Sequence, residues 1–438
     1  MTGMKKILGD IREMRAYLLL WLTQLVSGLG SAMTSYALVI WSYQEKGSAL
    51  MTAMLMVCSY APYVLCSIFA GALSDRWDKK RTMLTCDALA ALCTMGVLCL
   101  FKTGRLEIWH IYVVNALSGL MNTVQQPASE VATTAILPRK YYQKVGGLRY
   151  LSSSLSSVLT PILATAVLGL GGMDMIFSID LASFVFAALT LLFFIPIPGT
   201  QKEAGKKESL LASAKVGLVW LKREKGIFYM MMFFAGINLV ASMYNAALPA
   251  MLLSKPQGGE TVLGVVNTVV GLTTLAGSLL ASMLKAPRSR VTAIWACLMV
   301  SMSTENFLLA FGRTPLVWCA GAFLGWICIP WMSANLEAIY RLKIPQEIQG
   351  RVFAARNTFQ FFTIPVGYFL GGLMVDSVFE PIMTKQAEKG LLCQWFGAGK
   401  GSGAAFFFAV IGVLGVLVCL LFKNNRHIRK LDATENQE

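Results

Sequence analysis

Four acidic residues lie inside long apolar stretches of this chain, at Asp87, Asp180, Glu305 and Glu337. An ionisable side chain is costly to keep in an apolar environment, so each of these residues is a candidate for function. A carboxyl group that can be neutral or charged at such a position suits proton exchange. Asp87, Glu305 and Glu337 are therefore candidates for proton coupling, whereas Asp180 is interpreted as a residue that forms hydrogen bonds between helices.

Structural roles stay open for the same three candidates. Asp87 lies six residues from Arg81, so the two side chains could form a structural pair. Glu337 precedes Arg341 by one helical turn and could form a gate pair with it instead of carrying a proton. Glu305 lies toward the end of its apolar stretch, where it could border a lateral opening.

The composition places these acids in a membrane protein. The 438 residues are 56% hydrophobic and 14% charged, with a mean hydropathy of +0.60, whereas a soluble domain is about half apolar and about a quarter charged. Runs of about 20 apolar residues predict membrane-spanning helices and not the short alternating strands of a barrel. Twelve spans are predicted, at residues 15–41, 50–72, 82–101, 107–127, 145–169, 173–195, 226–252, 261–284, 291–312, 315–338, 351–375 and 403–422.

Basic residues are distributed unevenly over the connecting loops. The net charge is +15, and most of the 38 Lys and Arg residues fall in alternate loops. This positive-inside pattern predicts that both termini lie in the cytosol. Because the charge follows membrane topology, it does not indicate a nucleic-acid partner. The first residues mix both signs of charge without a cleavage site, so no signal peptide is predicted.

A polar interval separates the first six spans from the last six. The predicted divisions are a six-helix bundle at 1–197, a cytosolic linker at 198–225, a second six-helix bundle at 226–422 and a cytosolic tail at 423–438. Within the linker, residues 208–222 fit either an amphipathic helix on the membrane surface, with lysines toward anionic lipid, or a helix that caps the bundle. The predicted fold class is therefore an all-α membrane protein with twelve transmembrane helices in two halves, a layout that suggests a substrate path between them.

A charged turn between spans 2 and 3 carries the most specific motif. Its sequence, GALSDRWDKKR at residues 71–81, resembles the signature of the major facilitator superfamily at Gly71, Leu73, Ser74, Asp75, Arg76, Lys79 and Lys80. Asp78 replaces the second glycine of that signature. The resemblance implies the twelve-helix fold and an inner latch that holds one state of an alternating-access cycle.

The implied latch has two sides. Asp75 would accept hydrogen bonds from backbone N–H groups at the start of span 11. The alternative is a turn whose basic residues only set the topology. The latch residues are, on the turn, Gly71, Asp75, Arg76, Lys79 and Lys80 and, at the start of span 11, Arg351 and Arg356.

Other windows resemble the macrolide-efflux-like and secretion-effector branch of the superfamily. They are residues 125–128 with 135–138, residues 344–352, and residues 378–381 with 397–403. Three departures concern proton coupling: span 4 lacks the arginine that many proton antiporters carry, span 5 has Thr160-Pro161 where they have Gly-Pro, and span 1 has Gln24 but no acid.

The resemblance also implies that spans 1, 4, 7 and 10 line a substrate cavity, whereas spans 3, 6, 9 and 12 are peripheral. Their amide and aromatic side chains suit a bulky amphipathic molecule held by packing and a few hydrogen bonds. For any one of these residues, packing between helices is an equal alternative. The cavity candidates are Gln24, Ser31, Tyr36, Asn115, Asn122, Gln125, Asn238, Tyr244, Asn245, Trp331 and Asn335.

Together these features predict a secondary transporter of the bacterial cytoplasmic membrane, with a hydrophobic or amphipathic small molecule, protons and membrane lipids as its partners. The expected activity is export of a drug or peptide-like metabolite by proton antiport, by a monomer. No nucleophile–base set, phosphate loop or metal-ligand set is present, so no enzyme, cofactor or metal site is predicted. The alternatives are a lipid or lysolipid flippase on the same fold and a non-transporting membrane receptor or scaffold.

Overall fold

The computed structural model describes residues 2–76, 78–137, 142–197, 219–345, 352, 356, 359–386 and 390–433. These residues form helices and no strands. The first part of the chain contains α1 Thr2–Lys46, α2 Ala49–Arg76, α3 Lys79–Lys102, α4 Ile108–Ile136 and α5 Tyr142–Phe194. The second part contains α6 Lys225–Ser254, α7 Glu260–Met283, α8 Arg290–Phe311, α9 Pro315–Trp326, α10 Ile329–Lys343, α11 Thr363–Met374, a π-helical turn Val375–Phe379, α12 Glu380–Thr384, α13 Leu391–Phe396, α14 Ser402–Lys423 and α15 Arg426–Ala433.

Within the described residues, ten helices are long and apolar enough to cross a membrane. One of them, Leu151–Phe194, includes most of the fifth and the sixth predicted spans. These two spans are separated at Gly172, whose φ of 63° is a left-handed value that glycine adopts readily. The predicted fourth span, α4, is not among the ten, since polar residues such as Asn115 and Asn122 lower its hydropathy.

The contacts divide the chain into two compact units. The first unit consists of Met1–Leu38 and Leu65–Lys207, and the second of Val39–Val64 and Glu208–Glu438. Residues 198–218 of the predicted linker lie outside the described residues, so the linker and its amphipathic helix stay predictions.

In the first unit, α3 packs against α4 and α5. Small residues allow this close approach, because Ala128 and Ala132 are fully buried beside Met83 and Leu191. The start of α3 is fixed by Asp78, whose Oδ1 accepts a hydrogen bond from the backbone N–H of Arg81 at 2.8 Å. The residue that departs from the superfamily signature is therefore a helix N-cap.

In the second unit, α6 packs against α11 and α14, and α8 packs against α9, α10 and α14. Among the ten candidate spans, α6 has the most buried apolar window, which makes it the centre of this unit. Asp376 of the π-helical turn caps the start of α2: its carboxylate accepts hydrogen bonds from Ala49 N and Leu50 N, both at 2.9 Å, and from Ser48 Oγ at 2.5 Å. These contacts attach the beginning of α2 to the same unit as α6.

Candidate functional site

A cavity of about 280 Å³ lies inside the second unit. It is lined by residues of α6, α8, α9 and α10 together with Gln360. Three of the predicted cavity residues, Asn238, Tyr244 and Asn245, line it from α6. Glu305, which the sequence identifies only as a candidate for proton coupling, lines the same cavity from α8.

Glu305 is the one acid among the described residues that line this cavity. The residue is only 5% exposed, and its Oε1 accepts a hydrogen bond from the indole Nε1 of Trp326 at 2.9 Å. The hydroxyl of Tyr244 faces the same carboxyl group but forms no hydrogen bond of good geometry. Glu305 therefore receives one well-formed hydrogen bond from the described side chains and borders open space.

Three polar atoms around the cavity are buried without a hydrogen-bond partner. They are the Tyr244 hydroxyl, Asn306 Oδ1 and Gln360 Oε1. Their residues are no more than 8% exposed. A buried polar group without a partner costs free energy. Because the Tyr244 hydroxyl faces the Glu305 carboxyl group, the two amide oxygens are the atoms whose missing partners a ligand could supply.

The packing of α9 against α8 leaves room for the Glu305 side chain because residue 325 is a glycine. A Cβ added at Gly325 would lie 2.4 Å from Glu305 Oε2 and 2.7 Å from Glu305 Cβ. One turn earlier, Gly321 faces the backbone and Leu308 of α8. These two glycines, four residues apart, are the sequence signal for close approach of the two helices. They face Glu305, although span 9, which carries this acid, is predicted to be peripheral.

The other two candidates for proton coupling have different surroundings. Asp87 of α3 is buried, and its Oδ1 accepts a hydrogen bond from Gln125 Nε2 of α4 at 2.5 Å. Gln24 of α1 lies beside the same carboxylate, with its Nε2 and Asp87 Oδ2 both lacking a hydrogen-bond partner. The structure thus joins three predicted site residues from three helices, and it gives Asp87 the partner Gln125, where the sequence suggests Arg81.

Glu337 of α10 forms a charged cluster at the end of its helix. Its Oε1 accepts from Arg341 Nε at 2.9 Å and its Oε2 from Arg356 Nη1 at 3.5 Å. The Arg356 guanidinium also lies over the ring of Tyr340, 5.3 Å from its centre. Two arginine partners at one carboxyl group form the contact expected of a gate pair, and this geometry fits a gate better than a proton carrier.

The remaining cavity candidates are placed elsewhere. Ser31 donates a hydrogen bond to Asp180 Oδ1 at 3.0 Å. Asn335 accepts from Arg290 Nη1 at 3.2 Å and donates to Trp331 O at 2.9 Å. Gln24 lines a second cavity of about 350 Å³ in the first unit, together with serine and threonine hydroxyls of α4 and α5. The residues that line neither cavity are Ser31, Tyr36, Asn115, Asn122, Gln125, Trp331 and Asn335.

The predicted latch is described only in part. Gly71, Asp75 and Arg76 lie in the last turns of α2, with their side chains outside the description, and Arg351 lies outside the described residues. Lys79 is buried at the start of α3. Lys80 Nζ donates to the backbone carbonyls of Leu192 and Ile195, at 3.0 and 2.9 Å, at the end of α5. A lysine at this position interacts favourably with the carbonyl end of a helix.

Comparisons with known proteins identify one family and several similar proteins. A sequence model of the Major Facilitator Superfamily matches residues 20–242. Macrolide efflux protein A of Streptococcus pyogenes is 22% identical over 417 residues, which cover 94% of this chain and 96% of that protein. The multidrug efflux pump Tap of Mycolicibacterium fortuitum is 24% identical over 375 residues, covering 82% of this chain and 89% of that protein. The crystal structure of the nucleoside transporter NupG is similar in fold, with a TM-score of 0.66 and 12% identity over 94% of this chain and 100% of that chain.

Proposed function

The chain belongs to the Major Facilitator Superfamily, and from this premise we propose that it exports a hydrophobic or amphipathic small molecule by alternating access and proton antiport. It is a multi-pass membrane protein of the macrolide-efflux-like kind, and its family is one of transporters, not of enzymes. The exported molecule is a macrolide-like drug or a peptide-like metabolite. The matches to efflux pumps support export over import.

The proposal includes the topology. Twelve spans in two six-helix halves cross the bacterial cytoplasmic membrane, both termini lie in the cytosol, and the working unit is a monomer. The positive-inside distribution of Lys and Arg supports this orientation.

The observation that carries the proposal is the cavity around Glu305. Its lining combines the aromatic rings of Phe234, Tyr244 and Trp326 with amide side chains and one carboxyl group. Apolar and aromatic walls with a few polar groups are typical of sites for amphipathic small molecules. A carboxyl group in the same cavity allows a proton and a substrate to compete for one site, which is the coupling that an antiporter requires.

We assign the coupling role to Glu305 ahead of Asp87 and Glu337. Glu337 is held by two arginines, and Asp87 is held by Gln125. Glu305 combines burial with a direct position on the cavity.

The latch is proposed as the conformational counterpart of this cavity. Asp75 would bind the start of span 11 in one state, near Arg351 and Arg356, and release it in the other. Replacing Asp75 with Asn is expected to lower the turnover rate while substrate affinity stays nearly unchanged. Full turnover in this variant, measured by transport into vesicles, would contradict the latch.

The proposed function is tested by efflux of macrolides, dyes and peptides from cells that express the protein, with and without a protonophore. Protonophore-sensitive efflux that is lost in Glu305→Gln and kept in Asp180→Asn supports the proposal. An efflux rate that the protonophore does not change would contradict proton antiport. No transport by a folded protein would favour a receptor or scaffold, and movement of labelled lysolipid in vesicles would favour a flippase.

A further inference from the structure

Two amide oxygens from the lining of the cavity around Glu305 have no hydrogen-bond partner. Asn306 Nδ2 already donates to Met302 O at 3.0 Å, which leaves Asn306 Oδ1 as the atom without a partner. Gln360 Oε1 is a second acceptor without a partner. An ionised carboxylate can only accept. A ligand that completes this site therefore has to bring hydrogen-bond donors.

The described lining of this cavity contains an acidic residue and no basic residue. Among the described residues that line this cavity, Glu305 is the single acid, and there is no Lys, Arg or His. The indole of Trp326 donates one neutral hydrogen bond to Glu305, and no described residue of the lining supplies a cation to this carboxyl group. A buried charge is stable when it is paired and hydrogen-bonded, so the partner that fits is a cation that carries N–H groups.

We propose that this cavity binds the protonated amine of the exported amphiphile, with the ammonium group between Glu305, Asn306 Oδ1 and Gln360 Oε1. The inference rests on the proposed function and names the substrate class of the same site. The faces of Tyr244 and Trp326 attract a cation and cover the apolar carbons next to it. A cavity of about 280 Å³ takes an amine head group and part of its attached scaffold, near the lower limit of ligand pockets, about 300 Å³.

The proposal is tested by binding of a matched pair of probes to the full chain in nanodiscs of zwitterionic phosphatidylcholine. Monodansylcadaverine carries a primary amine that is protonated at neutral pH, and its N-acetyl derivative keeps the fluorophore without the charge. Dansyl fluorescence reports both dissociation constants. The wild-type protein is expected to bind the amine at least about tenfold more tightly than the acetylated probe, as a charge-assisted hydrogen bond implies.

Two variants and one control locate the effect. Glu305→Gln is expected to abolish the preference for the amine, whereas Asp180→Asn, which changes a buried acid of the other unit, is expected to keep it. Gln360→Met removes an acceptor at nearly constant volume and is expected to weaken amine binding about threefold to tenfold, with the acetylated probe unaffected. This variant decides the question if Glu305→Gln does not fold.

Two results would overturn the inference: equal binding of both probes by the wild-type protein, or an undiminished preference in a folded Glu305→Gln variant. If both probes weaken equally in Gln360→Met, the acceptor role is contradicted as well. Cellular efflux separates this inference from the proposed function. Export without preference for amines would contradict only the substrate class, whereas amine-selective binding without export would support the site and contradict export.

Discussion

Asp180 in the first unit and Glu305 in the second are both buried carboxylic acids, 4% and 5% exposed, but their surroundings differ in two respects. Asp180 accepts hydrogen bonds from three hydroxyl groups: Ser31 Oγ at 3.0 Å, Thr34 Oγ1 at 2.9 Å and Thr94 Oγ1 at 3.3 Å. These residues belong to α1 and α3, so the carboxyl group connects three helices. Glu305 has the indole of Trp326 and borders a cavity.

The difference separates an acid that stabilises packing from an acid that can bind. Three hydroxyl donors reach both carboxylate oxygens of Asp180, and Asp180 lines neither of the two cavities described above. Glu305 has free volume beside it and neighbouring polar atoms that lack partners. Burial alone does not distinguish the two acids, because the number of local donors and the adjacent space decide their roles.

The largest effect is expected from Glu305→Gln. The amide keeps the size and the contact with Trp326 but cannot exchange a proton near neutral pH, so uphill efflux is expected to fall to background. Efflux from loaded cells, with expression checked by immunoblot, measures the loss. Undiminished uphill efflux would show that another acid couples transport to protons. Asp180 and Glu305 would then not differ in function.

A large effect is also expected from Gly325→Ala, because the added methyl group would displace the Glu305 carboxyl group. Overpacking of this kind costs about 1–3 kcal/mol, and efflux and amine binding are both expected to fall at least about tenfold if the carboxyl group moves out of the cavity. Gly96→Ala is the matched control, since a Cβ at Gly96 has no atom within 4 Å apart from its own helix. Equal activity of the two alanine variants would show that the position of Glu305 does not matter.

A moderate effect is expected from Trp326→Phe, which removes the indole N–H and keeps an aromatic wall. Loss of one hydrogen bond to a charged group is expected to weaken amine binding by about tenfold. The control is Trp295→Phe, because the Trp295 indole donates to Cys419 O at 2.9 Å and lies outside the cavity. The dansyl titration distinguishes them, and similar losses in both variants would contradict a specific role for the Trp326 donor.

The smallest effect on transport is expected from Asp180→Asn. The amide nitrogen can no longer accept from the hydroxyl groups, so the free energy of unfolding is expected to fall by about 1–3 kcal/mol, while efflux per folded molecule stays unchanged. Thermal unfolding of the purified protein measures the first quantity and vesicle transport the second. Loss of transport at unchanged stability would give Asp180 a functional role and abolish the contrast with Glu305.

Much of the helical architecture can be predicted from the sequence, because long apolar runs in lipid satisfy their backbone hydrogen bonds by forming helices. The role of Asp180 as a link between helices is confirmed by its three hydroxyl partners. The partner of Asp87 was not predictable, since Gln125 belongs to another helix and only tertiary packing brings the two together.

The position of Glu305 on a cavity was not predictable for a related reason. Assigning span 9 to the periphery describes where the helix axis lies, but a long side chain opposite Gly325 can still reach a cavity. The contribution of Gln360 depends on how its segment is held: Asn238 Nδ2 donates to Gln360 O at 3.0 Å, and Thr363 Oγ1 donates to Ala235 O at 2.9 Å. No local pattern in the sequence encodes those contacts.

The contact between Gly325 and Glu305 has an evolutionary consequence. A lineage that acquires any side chain at position 325 loses the space that the carboxyl group occupies, so the two positions cannot drift independently. Among homologous chains, an acid at 305 is expected to be inherited together with glycine at 325, and chains that lose one are expected to have lost the other. The presence of glycine at position 325 would then indicate which of these transporters share the same choice of substrate.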